Sequence, residues 1–162
     1  MKVISKQKNS KMCYICGMEN DNGLKAQFYN MEDGSVMTKF IYRKEHQSFP
    51  GRVHGGLLAA MLDELACRAY WVNDESTLGA TMSMEIKYRK PVPYDTEIIG
   101  KGIITADLSK FFTAEVSLLD KEYNTYTNAV VKYIKLPAEK ICSDTNFHDE
   151  MNYLIPDNVT EL

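Results

Sequence analysis

The chain has little of what marks a secreted, membrane-spanning or nucleic-acid-binding protein. Cysteine is scarce, with only Cys13, Cys16, Cys67 and Cys142 among 162 residues. That is too few for a disulfide scaffold, so free thiols in a reducing compartment are expected. No apolar run approaches the roughly 20 residues of a membrane span, and Met1 to Lys11 is polar and basic without the apolar centre of a signal peptide. A formal charge of -3 removes any global attraction to nucleic acid or an anionic membrane, so an anionic ligand would have to meet local basic residues. A cytoplasmic protein with neither membrane nor nucleic-acid partners is expected. The length suits one domain with a core that needs no staples.

One segment can be helical and almost nothing else. From Leu57 to Asn73 there is neither proline nor glycine, and only Asp63, Glu64 and Arg68 are charged. Such a helix has to be buried nearly all round. Leu58, Met61, Leu62, Leu65, Ala69 and Val72 recur at helical spacing as its packing stripe. One turn to either side of Asp63 lie Ala59, Ala60, Ala66 and Cys67, with Gly56 a turn further back. A carboxylate thus sits in a lane of small side chains.

Ionised carboxylates in an apolar helix are costly unless paired or wetted. Glu64 precedes Arg68 by four residues, the favourable order for a helical ion pair. Asp63 has no such partner, which points to chemistry. At the helix start, the Gly55-Gly56 pair permits close approach to the backbone, and the unpaired first-turn amides carry the positive end of the dipole. That is a place for a carbonyl oxygen that becomes negative. Gly56 and Asp63 are seven residues apart in the sequence, roughly 10 Å along a helix. A reacting carbonyl must lie within about 3 Å of both its donor and its attacking group. One chain cannot supply both, whereas a second copy packed antiparallel along the small-residue lane brings Asp63 of one protomer to the glycine turn of the other. A homodimer with two composite sites is the expectation.

Around the helix the pattern is that of strands. Gly23 to Asn30 and Ser35 to Tyr42 flank Glu32-Asp33-Gly34, a hairpin signal. Arg43 to Val53 reads as a loop entering the helix through Pro50 and Gly51. In Thr81 to Arg89, Met82, Met84, Ile86 and Tyr88 alternate with polar residues and predict one face toward the helix. Tyr94 to Ala106, Lys110 to Leu119 and Thr125 to Leu136 follow as strands. The order predicts an α+β domain, a curved antiparallel sheet wrapped around one long central helix. Residues 1-22 read as a leader with a CxxC segment, 23-136 as the domain, and 137-162 as a polar tail. In that tail Asn146 to Leu154 has a weak helical pattern and the end is expected to fray. Cys13 and Cys16 have the spacing of half a zinc site, but neither a second pair nor a histidine pair follows. Packing is their expected role, with no metal.

His54-Gly55-Gly56 with an acidic residue nine positions after the histidine resembles the hotdog-fold acyl-CoA thioesterases of the PaaI (phenylacetyl-CoA thioesterase) type. The resemblance covers roughly Cys13 to Leu136. Cys13-Tyr14-Ile15-Cys16-Gly17 and Asn22-Gly23-Leu24 match an N-terminal signature of bacterial members. It implies hydrolysis of a coenzyme A thioester without a cofactor, with Asp63 as general base or as nucleophile forming an anhydride. It implies the backbone amide of Gly55 or Gly56 as oxyanion donor, in a homodimer or a dimer of dimers. His54 is either a general acid toward the neighbour's substrate or a cap on the helix entry. Relatives often carry an asparagine a few residues before the histidine; this chain offers Gln47 and Ser48 instead, and Gln47 can both donate and accept. Thr81 matches a position where relatives often carry Ser or Thr near the attacking water.

Lys87, Arg89, Lys90 and Lys110 are the basic residues available for coenzyme A phosphates. Met61, Met82 and Tyr88 are the apolar residues expected along the acyl group. Two other readings stay open. One is a non-catalytic acyl-CoA-binding regulatory module. The other is an enoyl-CoA hydratase or dehydratase, which would want its aspartate and histidine together in one chain. The acyl group itself is not written in the sequence.

Overall fold

The computed structural model describes residues 1–142 and 147–162. Seven strands form one antiparallel sheet: β1 (Val3–Lys6), β2 (Tyr29–Met31), β3 (Val36–Ile41), β4 (Leu78–Tyr88), β5 (Glu97–Asp107), β6 (Phe111–Leu119) and β7 (Thr125–Leu136). Their order across the sheet is β1-β2-β3-β5-β6-β7-β4. Helix α1 (Gly55–Trp71) packs on the concave side against β3 to β7. Two short helices, α2 (Ala138–Ile141) and α3 (Phe147–Met151), follow the last strand. Among the described residues no helix is long and apolar enough to cross a membrane.

The helix lies close to the sheet because β5 carries two glycines beneath it. A Cβ on Gly100 would stand 2.7 Å from Thr38 Cγ2 and 3.2 Å from Leu65 Cδ2, and one on Gly102 would be 3.1 Å from the Leu65 carbonyl oxygen. Leu65 therefore settles against bare backbone. Met61, Leu62, Leu65 and Ala66 are fully buried with Phe28, Val36, Ile98 and Leu118. At the far end of α1 an aromatic column of Tyr70, Phe112 and Tyr133 stacks at 4.4 and 4.7 Å between ring centres.

The alternation expected along β4 is broken by a bulge between Thr81 and Ser83. The bulge shifts the phase. Gly79 and Thr81 face the helix side before it, whereas Met84 and Ile86 do so after it. Met82, predicted on the helix face, is instead 52% exposed. Another departure concerns the segment before β2. Only Tyr29–Met31 is strand; from Leu24 to Ala26 the backbone hydrogen-bonds the CxxC turn, through Leu24 N–H to Tyr14 O and Ala26 N–H to Ile15 O. Tyr94 to Thr96 likewise precede the strand they were expected to begin, in a bend where Asp95 has φ 55°.

The tail was expected to fray, and here the two termini close on each other. Val3 N–H donates to Thr160 O, Leu162 N–H to Met1 O, and Asn9 and Tyr153 exchange both backbone bonds. The tail that should have frayed is a covering strip, pinned also by Lys6 to Asp157. The proposed start of its helix at Asn146 lies outside the described residues.

The N-terminal segment around Gln7, Lys8 and Cys13 covers the side of α1 that the sheet leaves bare. Arg68, 1% exposed, holds Glu64 Oε1 at 2.9 Å as the spacing predicted. It also donates to the Lys8 carbonyl and lies over the rings of Phe28 and Trp71. Gln7 and Asn9 are buried as well. Gln7 Nε2 reaches Arg68 O, while Asn9 Nδ2 bonds the carbonyls of Cys16 and Ala26. Arg68→Met keeps much of the volume but strands Glu64 and the Lys8 carbonyl. A loss of roughly 3 kcal/mol in unfolding free energy is expected, read as a lower urea midpoint at unchanged slope, against about 1 kcal/mol or less if the pair behaves as an exposed one.

Candidate active site

The entry to α1 is built by the loop before it. His46 is buried and its Nδ1 accepts from Arg43 N–H at 2.8 Å, while its carbonyl accepts from His54 N–H at 2.9 Å. Burial, followed by the nearby Arg43 charge, lowers the pKa of His46 and favours the neutral ring that this acceptor role requires. His54 is the N-cap. Its Nδ1 accepts from Gly56 N–H at 2.9 Å, and Leu57 N–H turns back to His54 O. The Gly55 N–H alone of these first-turn donors has no partner among the described residues. Tyr88, from the end of β4, donates its hydroxyl to Gly55 O at 3.1 Å and holds the turn from outside.

Next to Gly55 opens a cleft of about 270 Å³ whose lining includes Ser48, Val53, Gly55, Tyr88, Arg89 and Lys90. Arg52 adds a third positive charge to this wall. Arg89 is oriented by Asn128, with Nε 2.7 Å from Oδ1. Ser48, Tyr88, Arg89 and Lys90 are thus brought together at the helix start. Gln47 is exposed in the loop and pairs through its backbone with Val53. Lys87 is exposed and sits 3.4 Å from Glu85. Lys110 belongs to the turn between β5 and β6, where its carbonyl accepts from Lys135 N–H, at the other end of the sheet from Tyr88. Met61 is 0% exposed and packs inside the core, so it offers no wall to a ligand in this chain.

Asp63 lies two turns further along α1 and is half-buried. Thr81 Oγ1 donates to its Oδ1 at 2.8 Å, and the Tyr133 hydroxyl lies 2.9 Å from the same oxygen and 2.6 Å from the Asp63 carbonyl oxygen. Oδ2 takes no donor among the described residues. Tyr133 has its pKa pushed well above the usual phenol range, by burial first and by the Asp63 charge second, so it stays a neutral donor. One oxygen is therefore fixed and the other presented. The structure brings Thr81 against Asp63, a contact the sequence did not name; Tyr133 had no local signal, since it stands 70 residues away and its strand pattern reads as ordinary core.

The two halves are separate within the chain, with His54 turned to Gly56 N–H and Asp63 to Thr81 and Tyr133. Two surfaces beside them are uncovered. Ala59, Ala60, Asp63 and Cys67 are only half-buried, and among the described residues no strand pairs with the outer edge of β4.

Comparison with known proteins agrees with this architecture. Residues 50–125 match the family model described as the thioesterase superfamily. Acyl-coenzyme A thioesterase THEM4 of Mus musculus is 28% identical over 123 residues, covering 71% of this chain and 49% of that protein. The chain spans about half the length of the curated relatives it matches. Among solved structures, a thioesterase superfamily protein superposes with a TM-score of 0.71 at 20% identity, covering 75% of this chain and 59% of the other. A hypothetical thioesterase from Streptococcus pneumoniae, crystallised with coenzyme A, gives 0.62 at 19% identity, with 69% and 86% covered. Over residues 50–125 the chain is similar to the thioesterase superfamily, and it shares with solved proteins of that name the hotdog fold, a curved antiparallel sheet around one central helix.

Proposed function

We propose that the protein hydrolyses acyl-CoA thioesters at sites shared by two protomers. The observation that carries this reading is the Asp63 carboxylate, held at one oxygen by Thr81 and Tyr133, with the other oxygen taking no donor among the described residues. It occupies a helix face of small, half-buried residues beside an unpaired strand edge of eleven residues. A long free edge is a template for another strand. Antiparallel pairing of β4 with its copy sets two α1 helices side by side and brings Asp63 of one protomer toward the helix start of the other. Relatives support the substrate class: similar proteins carry the name acyl-coenzyme A thioesterase, and similar structures were crystallised with coenzyme A or acetyl CoA.

In that arrangement Arg52, Arg89 and Lys90 meet the coenzyme A phosphates at the rim of the cleft. The thioester oxygen takes the free Gly55 N–H, which stabilises the charge that develops as the carbonyl carbon becomes tetrahedral. Asp63 then accepts a proton from water, whose oxygen bonds to the carbon; alternatively Asp63 bonds to the carbon itself and water later cleaves the anhydride. In either route the C–S bond breaks and coenzyme A leaves as thiolate, to be protonated. His54 supports this as a cap, because its Nδ1 is occupied by the turn it stabilises. The hydratase reading finds no support here, since the aspartate and histidine have separate partners.

With a panel of acyl-CoAs and a thiol-reactive dye, Asp63→Asn should lower kcat by roughly 10²–10⁴-fold while the protein stays folded; unchanged turnover ends the assignment of Asp63, and saturable binding with no turnover by the wild type favours a binding module. Tyr133→Phe should cost about tenfold in kcat with little change in KM, because it removes one donor to the charged group. For the shared site, Asp63→Asn chains are mixed with chains carrying Gly55→Pro, which lacks the amide. Verified heterodimers should regain up to half of wild-type activity per dimer, since one of two composite sites is intact. No recovery would mean that each protomer works alone.

A further inference from the structure

The CxxC segment, which the sequence left as half a ligand set, meets a third ligand in the fold. Cys13 Sγ, Cys16 Sγ and a carboxylate oxygen of Glu64 all lie within 4.8 Å of one another. We propose that Cys13, Cys16 and Glu64 form a tetrahedral binding site for a borderline-soft divalent cation of the zinc class, with the fourth position open to water or a small exogenous ligand.

The turn is shaped for two sulfurs on one ion. Cys13 Sγ accepts from the backbone N–H groups of Ile15 at 3.3 Å and Cys16 at 3.5 Å. Ser10 braces it, with Oγ 3.0 Å from Cys13 N and 3.4 Å from Cys16 Sγ. These donors compensate negative charge on sulfur and aim both sulfurs the same way. Gly17 closes the turn because a Cβ there would stand 2.3 Å from Cys13 O. Asn9 fixes the loop from behind through the Cys16 carbonyl.

The contact between Cys13 Sγ and Glu64 Oε2 is 3.7 Å, long for a hydrogen bond. It suits two ligands of one ion: with metal–sulfur and metal–oxygen bonds of about 2.3 and 2.1 Å at a tetrahedral angle, the sulfur–oxygen edge is about 3.6 Å. The other carboxylate oxygen is held by Arg68 at 2.9 Å, the kind of outer partner that orients a ligating carboxylate. Charge closes as well. Two thiolates and a carboxylate bring three negative charges, and a divalent ion with Arg68 brings three positive ones. A neutral cluster is what a mostly buried position requires. Thiolate ligands disfavour magnesium and calcium. Such an ion would clamp the N-terminal segment to α1 at the residue next to Asp63.

The test uses the full chain, reduced and stripped with chelator, titrated with Co(II) and then Zn(II). One equivalent of Co(II) should bring a thiolate-to-cobalt charge-transfer band and the intense visible bands of a tetrahedral ion, and Zn(II) should displace it. Zn(II) at a hundredfold excess over Kd should raise Tm by roughly 5–10 °C. Cys13 is only half-buried, so Cys13→Ser is expected to fold; it should lose the charge-transfer band and weaken binding by more than about a hundredfold, and Glu64→Gln should weaken it too. Cys67→Ser, away from the cluster, should bind as wild type. The proposal is overturned if the reduced protein takes up no metal, or if Cys13→Ser binds equally well. It is also overturned if Cys13 and Cys16 close to a reversible disulfide in a glutathione buffer with Zn(II) present at equal concentration.

Discussion

A helix that is apolar almost all round has to be covered on every side, and one sheet can cover only part of it. Most of this structure follows from that constraint. Strands β3 to β7 curve over one half of α1, and the glycines of β5 bring Leu65 down to the backbone. The N-terminal segment and the CxxC turn cover a second side, where Arg68 pairs with Glu64, Gln7 reaches the Arg68 carbonyl and Asn9 bonds the carbonyls of Cys16 and Ala26. What is left is a lane of small residues around Asp63, next to the free edge of β4. The uncovered lane carries the proposed chemistry.

The two chemical ends of α1 are made by different means. At its start the chemistry is backbone: a histidine cap, a pair of glycines and one unclaimed amide facing a cleft with a basic rim. Two turns on, the chemistry is a side chain whose orientation comes from a neighbouring strand threonine and a distant tyrosine. The bulge in β4 links the ends, because it turns Thr81 toward Asp63 and still lets Tyr88 reach Gly55. Without that extra residue one of the two contacts would point outward.

Much of the fold was legible locally. The helix from Gly55, the Glu64–Arg68 pair and the strands after it are all written in period and spacing, and the structure shifts most of their boundaries by only a few residues. What was misread depended on partners far along the chain. The leader and tail pair with each other across nearly the whole sequence, and no local pattern announces two short polar segments that complete a sheet edge. Met82 was placed by simple alternation, which a bulge invalidates without leaving a signature such as glycine. Met61 was read as a ligand wall because a buried stripe and a pocket lining have the same composition.

By itself the sequence determined the element types, the apolar character of α1, the glycine turn before it and the isolation of Asp63 from any helical ion-pair partner, since each is a property of neighbours within a turn or two. Only the tertiary structure decided that Tyr133 and Thr81 hold Asp63, that Gly56 N–H is spent on His54 while Gly55 N–H is free, and that Glu64 faces both Arg68 and the cysteine turn. Those outcomes rest on directional contacts a few ångströms long between groups many residues apart, and such contacts exist only once the chain has closed around its helix.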